Sequence, residues 1–197
     1  MRNILGVSGS SRPGNYTSHA LGIAVDELRA LGETVSVIDA RDLSLSFPGQ
    51  PETADAARLR EAVSQASAVV IASPEYHGGI AAHTKLIIEN LGFPSALAGK
   101  PVALLGVASG RIGAIKSLEQ TKGIMGHVGA VVVPGAVSIA GVQQAFDENG
   151  QCLDEGTGRS LRKLAESLHG FLNDYVCPKF ELERMVRNEG EPWSTNL

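Results

Sequence analysis

The run Ala68-Val69-Val70-Ile71-Ala72 constrains the fold more than any other stretch, because it is continuously apolar and is closed off by Ser73 and Pro74. A strand with no polar face must be covered on both sides, as happens inside a parallel sheet that carries helices on each face. Four further segments supply the neighbours such a strand needs. Asn3 to Val7 reads as a short apolar first strand and Thr34 to Ile38 as a β-branched second strand closing at Asp39. Pro101 to Val107 and Ala130 to Val133 read as the fourth and fifth.

Helical periodicity fills the gaps between them. Thr17 to Leu31 puts Leu21, Ala24, Val25, Leu28 and Leu31 on one face before Gly32 ends it. Thr53 caps a helix over about 54–66 with Leu59, Val63 and Ala66 inward. A third helix runs to about Leu91 with Leu86, Ile87 and Leu91 inward, and a fourth to about His127. A last one, Thr157 to Asp174, carries Leu161, Leu164, Leu168 and Leu172 as a stripe. The loop holding Pro48, Gly49 and Pro51 and the segment Val137 to Gly156 read as irregular. Strands alternating with helices in this way predict an α/β, doubly wound parallel sheet.

A chain of 197 residues holds one such domain, here Met1 to Asp174, followed by a charged tail over 175–197. A hydrophobic share of 43% against 19% charged residues excludes global disorder, and a net charge of -4 leaves no basic surplus for nucleic acid. The longest apolar candidate, around Ala130 to Val142, is broken by Pro134, Gly135 and Gly141, so no membrane span is expected. The first apolar residues give way to polar Ser8 to Ser11 too soon for a signal peptide core. A cytoplasmic location follows as the expectation, with Cys152 and Cys177 far apart and free.

Three glycine-bearing loops leave the first, third and fourth strands at their carboxyl ends, where ligands of doubly wound sheets bind at the switch in strand order. The first is Gly9-Ser10-Ser11-Arg12-Pro13-Gly14-Asn15 leading to Thr17 and Ser18, with hydroxyl donors, a fixed cation and the amino end of a helix. It lacks the Lys-Ser/Thr of an NTP-hydrolysing loop, the G-x-G-x-x-G dinucleotide fingerprint, and a cysteine nucleophile. Two readings stand, a loop that holds a phosphate without attacking it and an ordinary turn capped by Asn15 or Thr17. The second loop, Pro74-Glu75-Tyr76-His77-Gly78-Gly79, offers aromatic surface and close backbone approach, or else simply folds a turn and caps the next helix. Ala108-Ser109-Gly110-Arg111-Ile112-Gly113 is the third. Together a phosphate loop and a ring-binding loop favour a phosphorylated planar cofactor.

These three loops, with Val133-Pro134-Gly135 and Phe146-Asp147-Glu148-Asn149-Gly150, resemble the NADPH-dependent FMN reductase family over roughly Met1 to Asp174. The resemblance implies a flavodoxin-like five-stranded sheet of order 2-1-3-4-5. It also implies FMN as cofactor, NADPH or NADH as reductant, and a flavin, quinone, azo or metal-oxyanion acceptor. Ser10, Arg12, Asn15, Thr17 and Ser18 are then expected at the FMN phosphate. Pro74, Glu75, Tyr76, His77, Gly78 and Gly79 run along the isoalloxazine and ribityl chain, and Ser109, Gly110 and Arg111 face the flavin's other side. A homodimer or homotetramer with the flavin near the subunit interface is implied as well.

No residue is assigned as catalytic on this reading, since the cofactor carries the chemistry; Tyr76 and His77 are the candidates for modulating it by location. The competing expectation is a flavodoxin-like electron carrier without NAD(P)H turnover. Two departures from the family pattern stand out. His77 replaces a common Asn, and Thr84-Lys85-Leu86-Ile87 replaces an L-K-N-A segment, a change expected to alter the oligomer surface. Asp39 reads as a loop-capping carboxylate in preference to a ribose ligand, and His77 with His83 lacks a convincing further metal ligand. In the tail, Phe180, Leu182, Met185 and Val186 among charges suggest a segment that wraps a neighbouring subunit.

Overall fold

The computed structural model describes residues 2–188. Its strands are β1 (Asn3–Ser8), β2 (Thr34–Asp39), β3 (Ala68–Tyr76), β4 (Gly79–Ile80), β5 (Pro101–Val107), β6 (Val131–Val132) and β7 (Val137–Ile139). The sheet order is β2-β1-β3-β5-β6, and all pairs along it are parallel. With β5 and β6 as the fourth and fifth predicted strands, this is the expected 2-1-3-4-5 arrangement. Among the described residues the α-helices are α1 (Tyr16–Ala30), α2 (Ala54–Gln65), α3 (Ala82–Glu89), α4 (Ile115–His127), α5 (Val142–Ala145), α6 (Glu155–Phe171) and α7 (Cys177–Asn188).

Alternation along the central strands explains why both faces are covered. Ile4, Val70, Ala72, Ala103 and Leu105 pack with α1 and α6, while Leu5, Val7, Val69, Ile71, Val102 and Leu104 pack with residues of α2, α3 and α4. Each strand therefore buries its odd and even side chains in different cores, and no polar face remains to reach water. The helix stripes read from the sequence are the inward ones: Leu21, Ala24, Val25 and Leu28 on α1, and Leu161, Leu164 and Leu168 on α6, are all buried.

The structure departs from the expected elements in three places. β3 does not stop at Ala72 but runs through Pro74 to Tyr76 and turns back as the antiparallel β4. Pro74 is tolerated there because Ala72, two residues earlier, bonds on the β1 side, and β1 ends opposite Ala72. The missing Pro74 N–H thus faces a side with no ladder left to complete. The predicted fifth strand shortens to β6, and beyond Pro134 and Gly135, the latter at φ +93°, a further strand, β7, also pairs with β5. The segment read as irregular contains β7 and the short α5.

At the carboxyl end, α6 continues through a wide helical turn over Leu172–Val176 into α7, so the chain around Asp174 is unbroken helix. Residues 189–197, with Pro192 and Trp193 of the predicted wrapping tail, lie outside the described residues. A buried Glu33 at the turn between α1 and β2 ties this end of the molecule together. Its carboxylate pairs with Arg2 and lies 2.7 Å from His169 Nδ1 of α6. Arg2 in turn donates to Asn173 Oδ1 at 2.7 Å.

Candidate functional site

The chain goes from β1 outward to β2 and then crosses back to β3 on the other side of β1, so the loops leaving β1 and β3 diverge. A cleft of about 500 Å³ opens at that switch point, within the size range of small-molecule sites. Of the predicted residues, Ser10, Arg12, Asn15, Thr17, Pro74, Glu75, Tyr76, His77 and Ser109 line it. Ser18, Gly78, Gly79, Gly110 and Arg111 do not.

Loop one is built around pinned backbone. The Gly9 N–H donates to Ala72 O at 2.8 Å, and a Cβ at Gly9 would run into the Thr84 hydroxyl, so no other residue fits. Asn15 caps α1: its Oδ1 accepts from the Ser18 N–H at 2.8 Å, and its Nδ2 donates to Arg12 O at 2.7 Å. Asn15 therefore shapes the loop as well as lining it. The N–H groups of Ser10, Ser11, Tyr16 and Thr17 find no acceptor among the described residues, which leaves a cluster of backbone donors at the amino end of a fifteen-residue helix. Arg12 adds its charge above them, with Cζ 4.9 Å from the centre of the Tyr76 ring.

Ser18 is turned the other way. Its hydroxyl meets Ser8 Oγ at 2.8 Å and Asp39 Oδ2 at 3.0 Å, so it braces β1 and β2 beneath the loop. Asp39 caps a short helical turn over Ala40–Asp42 and accepts from the Arg41 amide at 2.9 Å and Arg41 Nε at 3.0 Å. Burial pushes its carboxyl upward, but the bonds from Arg41 and Ser18 outweigh this and hold it below the ordinary carboxylate range.

In the β3–β4 hairpin, His77 at φ +52° and Gly78 at φ +73° are the two central residues, as a type I′ turn requires. Asn suits that left-handed position well, which gives the His77 departure its physical meaning: the turn keeps its shape with a bulkier residue. Gly78 and Gly79 pack toward α4, where Lys116 and Gln120 stand over them, and the Ile80 N–H donates to Gln120 Oε1 at 2.9 Å. Glu75 accepts from the Ser117 N–H at 3.0 Å, capping α4 and not the next helix in sequence. Gly110 works through its carbonyl, which accepts from Gly113 at 3.2 Å and Gly141 at 3.1 Å, while Arg111 is exposed.

Val142 and Gln143 of α5 also line the cleft and were missed, since their segment reads as irregular. They are brought there by backbone bonds from Ala108 to Ile139 O and from Val142 to Ala108 O. The Thr84 and Ile87 departures are interior, not on the surface where they were expected to act: both side chains are buried.

Unclaimed amides and a guanidinium at one end of the cleft suit a phosphate, and the Tyr76 ring with apolar Val107 and Val142 suits a flat ring. Fold and cleft together define a flavodoxin-like α/β protein whose switch-point site suits a phosphorylated planar ligand. The model of the family named NADPH-dependent FMN reductase matches residues 2–144, and the chain belongs to that family. It is 32% identical over 178 residues to an NAD(P)H-dependent FMN reductase of Pseudomonas aeruginosa, covering 84% of this chain and 92% of that protein. It is 29% identical over 170 residues to the NADH:(hydroxy)cinnamate reductase subunit CrdA of Vibrio ruber, covering 82% and 83%. Among solved structures, the flavoenzyme NAD(P)H:(acceptor) oxidoreductase FerB of Paracoccus denitrificans superposes with a TM-score of 0.72 at 22% identity, over 89% of this chain and 99% of that one.

Proposed function

We propose that this chain binds FMN in the cleft between the loops that leave β1 and β3 and uses it to carry electrons from NADPH or NADH to a small-molecule acceptor. The observation that carries the reading is the convergence of unclaimed amides, Arg12 and Tyr76 at the switch point of the sheet. When bound, FMN supplies the two-electron exchange with the nicotinamide and then with the acceptor. The chain's own residues bind and orient. Ser10, Thr17 and Arg12 hold the phosphate, Tyr76 and His77 bound the ring, and Ser109 and Gln143 stand on the opposite side of the cleft. Asn15, Ser18 and Glu75 act one step removed, by fixing the loops that carry those groups.

Acceptor choice rests with the open side of the cleft, which selects weakly by shape; flavins, quinones, azo compounds and metal oxyanions all fall within it. The related Vibrio subunit belongs to a reductase named for cinnamates, which adds an activated alkene to the acceptors worth assaying. We infer a cytoplasmic location from the free thiols Cys152 and Cys177. Among the described residues no helix is long and apolar enough to cross a membrane.

We infer a homodimer or homotetramer with the flavin near the subunit interface, a reading supported by exposed apolar side chains. Phe93 is 98% exposed, and Ile112, Ile115, Tyr175, Phe180 and Leu182 are also open to solvent. Truncation after Asp174 is expected to lower the subunit number measured by light scattering, and an unchanged number removes the tail from the interface.

The functional reading is tested by anaerobic titration of FMN-reconstituted protein with NADPH and, separately, NADH. Bleaching of the oxidised flavin band within a turnover time supports it and ranks the two reductants. A bound flavin that stays oxidised points to an electron carrier instead, and failure to bind flavin removes the cofactor assignment.

A further inference from the structure

Beneath the cleft three hydroxyls are sealed from water: Ser73 in β3, Thr84 in α3 and Ser117 in α4, with Thr84 and Ser117 at 0% exposure. Ser117 Oγ lies 3.4 Å from Ser73 Oγ, Ser73 Oγ lies 3.0 Å from Thr84 Oγ1, and Thr84 Oγ1 lies 3.2 Å from the Gly9 carbonyl oxygen. Each hydroxyl has one proton to donate, and a carbonyl can only accept. Ser73 Oγ has a carbonyl acceptor of its own, Pro74 O at 3.0 Å, and the Gly9 carbonyl, which can only accept, takes its bond from the Thr84 hydroxyl.

The Gly9 carbonyl and the Ser10 N–H belong to one planar trans peptide and point in opposite directions. A bond that draws the carbonyl down toward α3 turns the Ser10 N–H the other way. Ser10 lines the cleft, and its N–H has no acceptor among the described residues. Gly9 is held on its other side by its own N–H bond to Ala72. The Thr84 bond then restrains the one rotation, at Gly9 ψ, that turns the Gly9–Ser10 peptide.

We propose that Thr84 is a positioning residue for the anion seat: its hydroxyl fixes the Gly9–Ser10 peptide so that the Ser10 N–H is aimed at the FMN phosphate. The inference rests on the flavin reading above. Thr84 touches no ligand itself and acts through the peptide. Burial strengthens its bond and makes its loss costly, because the Gly9 carbonyl would be left without a donor in a dry site.

The test compares wild type with Thr84→Val, which keeps the shape and removes the hydroxyl, and Thr84→Ser, which restores it. ¹⁵N-labelled apo-protein is titrated with inorganic phosphate while the Ser10 amide resonance is followed, and FMN affinity is measured by fluorescence quenching. Thr84→Val is expected to lose most of the phosphate-induced Ser10 shift and to bind FMN about tenfold more weakly, the scale of one buried hydrogen bond. Thr84→Ser is expected to recover both.

Thr84→Ala, which removes the same hydroxyl with a smaller side chain, is expected to give a loss in the same direction. It keeps the proposal testable should the valine variant fail to fold. Unchanged Ser10 response and FMN affinity in whichever of these variants is folded overturns the proposal. A wild-type protein that shows the Ser10 shift with phosphate but binds no FMN overturns the flavin reading instead and leaves the role of Thr84 standing.

Discussion

Arg12 is exposed, yet its guanidinium is placed over Tyr76 by a loop held at Gly9 and Asn15. Arg12→Ala should weaken FMN binding by about 1.5–3 kcal/mol, the range for a hydrogen bond to a charged group, as measured by flavin fluorescence quenching. Arg12→Lys should recover only part of this, because a point charge replaces a planar fork that can lie on a ring. His77 makes a separate prediction, about the turn and not the ligand. His77→Val puts a β-branched residue at φ +52° and should cost about 1–2 kcal/mol in urea denaturation, whereas His77→Asn should be neutral or slightly stabilising. The charge on Arg12 was legible in the sequence, since it is a property of a single residue, whereas the Thr84 hydroxyl that excludes a side chain at position 9 was not. Nor were the partners of Glu75 and Thr84. Ser117 and Gly9 lie 42 and 75 positions away from them respectively, and no local pattern encodes which helix end a carboxylate will reach.

Elements were read most accurately where one face of a periodic pattern had to be buried. α1, α2, β2 and β5 fall within a residue or two of their expected ends, because Asn15, Thr53 and Gly32 mark boundaries by local chemistry. β3 was cut short at Pro74 because a proline inside a strand signals a break, and only the ending of β1 opposite Ala72 makes it harmless. Where β2 ends, Asp39 links the strand to α1 through Ser18 and to the next turn through Arg41. Its pKa in the folded protein lies below the ordinary value of 3.8, so its contribution to stability is fully present above that value and is lost as pH falls through the lower one. Melting temperatures recorded between about pH 3 and about pH 6 should show a steeper acid limb for wild type than for Asp39→Asn. Parallel limbs would mean that this carboxylate does not couple β2 to α1.

At the scale of the whole molecule, Glu33 joins the first strand, the α1–β2 turn and α6 into one unit far from the cleft. Glu33→Ala should leave Arg2 and His169 without their shared partner and cost about 2–3 kcal/mol in chemical denaturation, below the usual loss for a fully buried pair because Arg2 is partly exposed. FMN affinity per folded molecule should be unchanged, which separates this network from the site. The break between β6 and β7 has another consequence. An open parallel sheet presents at its rim a row of unpaired amides and carbonyls on which a strand from another molecule can dock. Here Pro134 and Gly135 divide that rim into β6 and β7, of two and three residues, each too short to template a ladder. The interruption removes this rim as a template on which a second molecule could extend the sheet, leaving the six-residue β2 as the one long edge of the five-strand path.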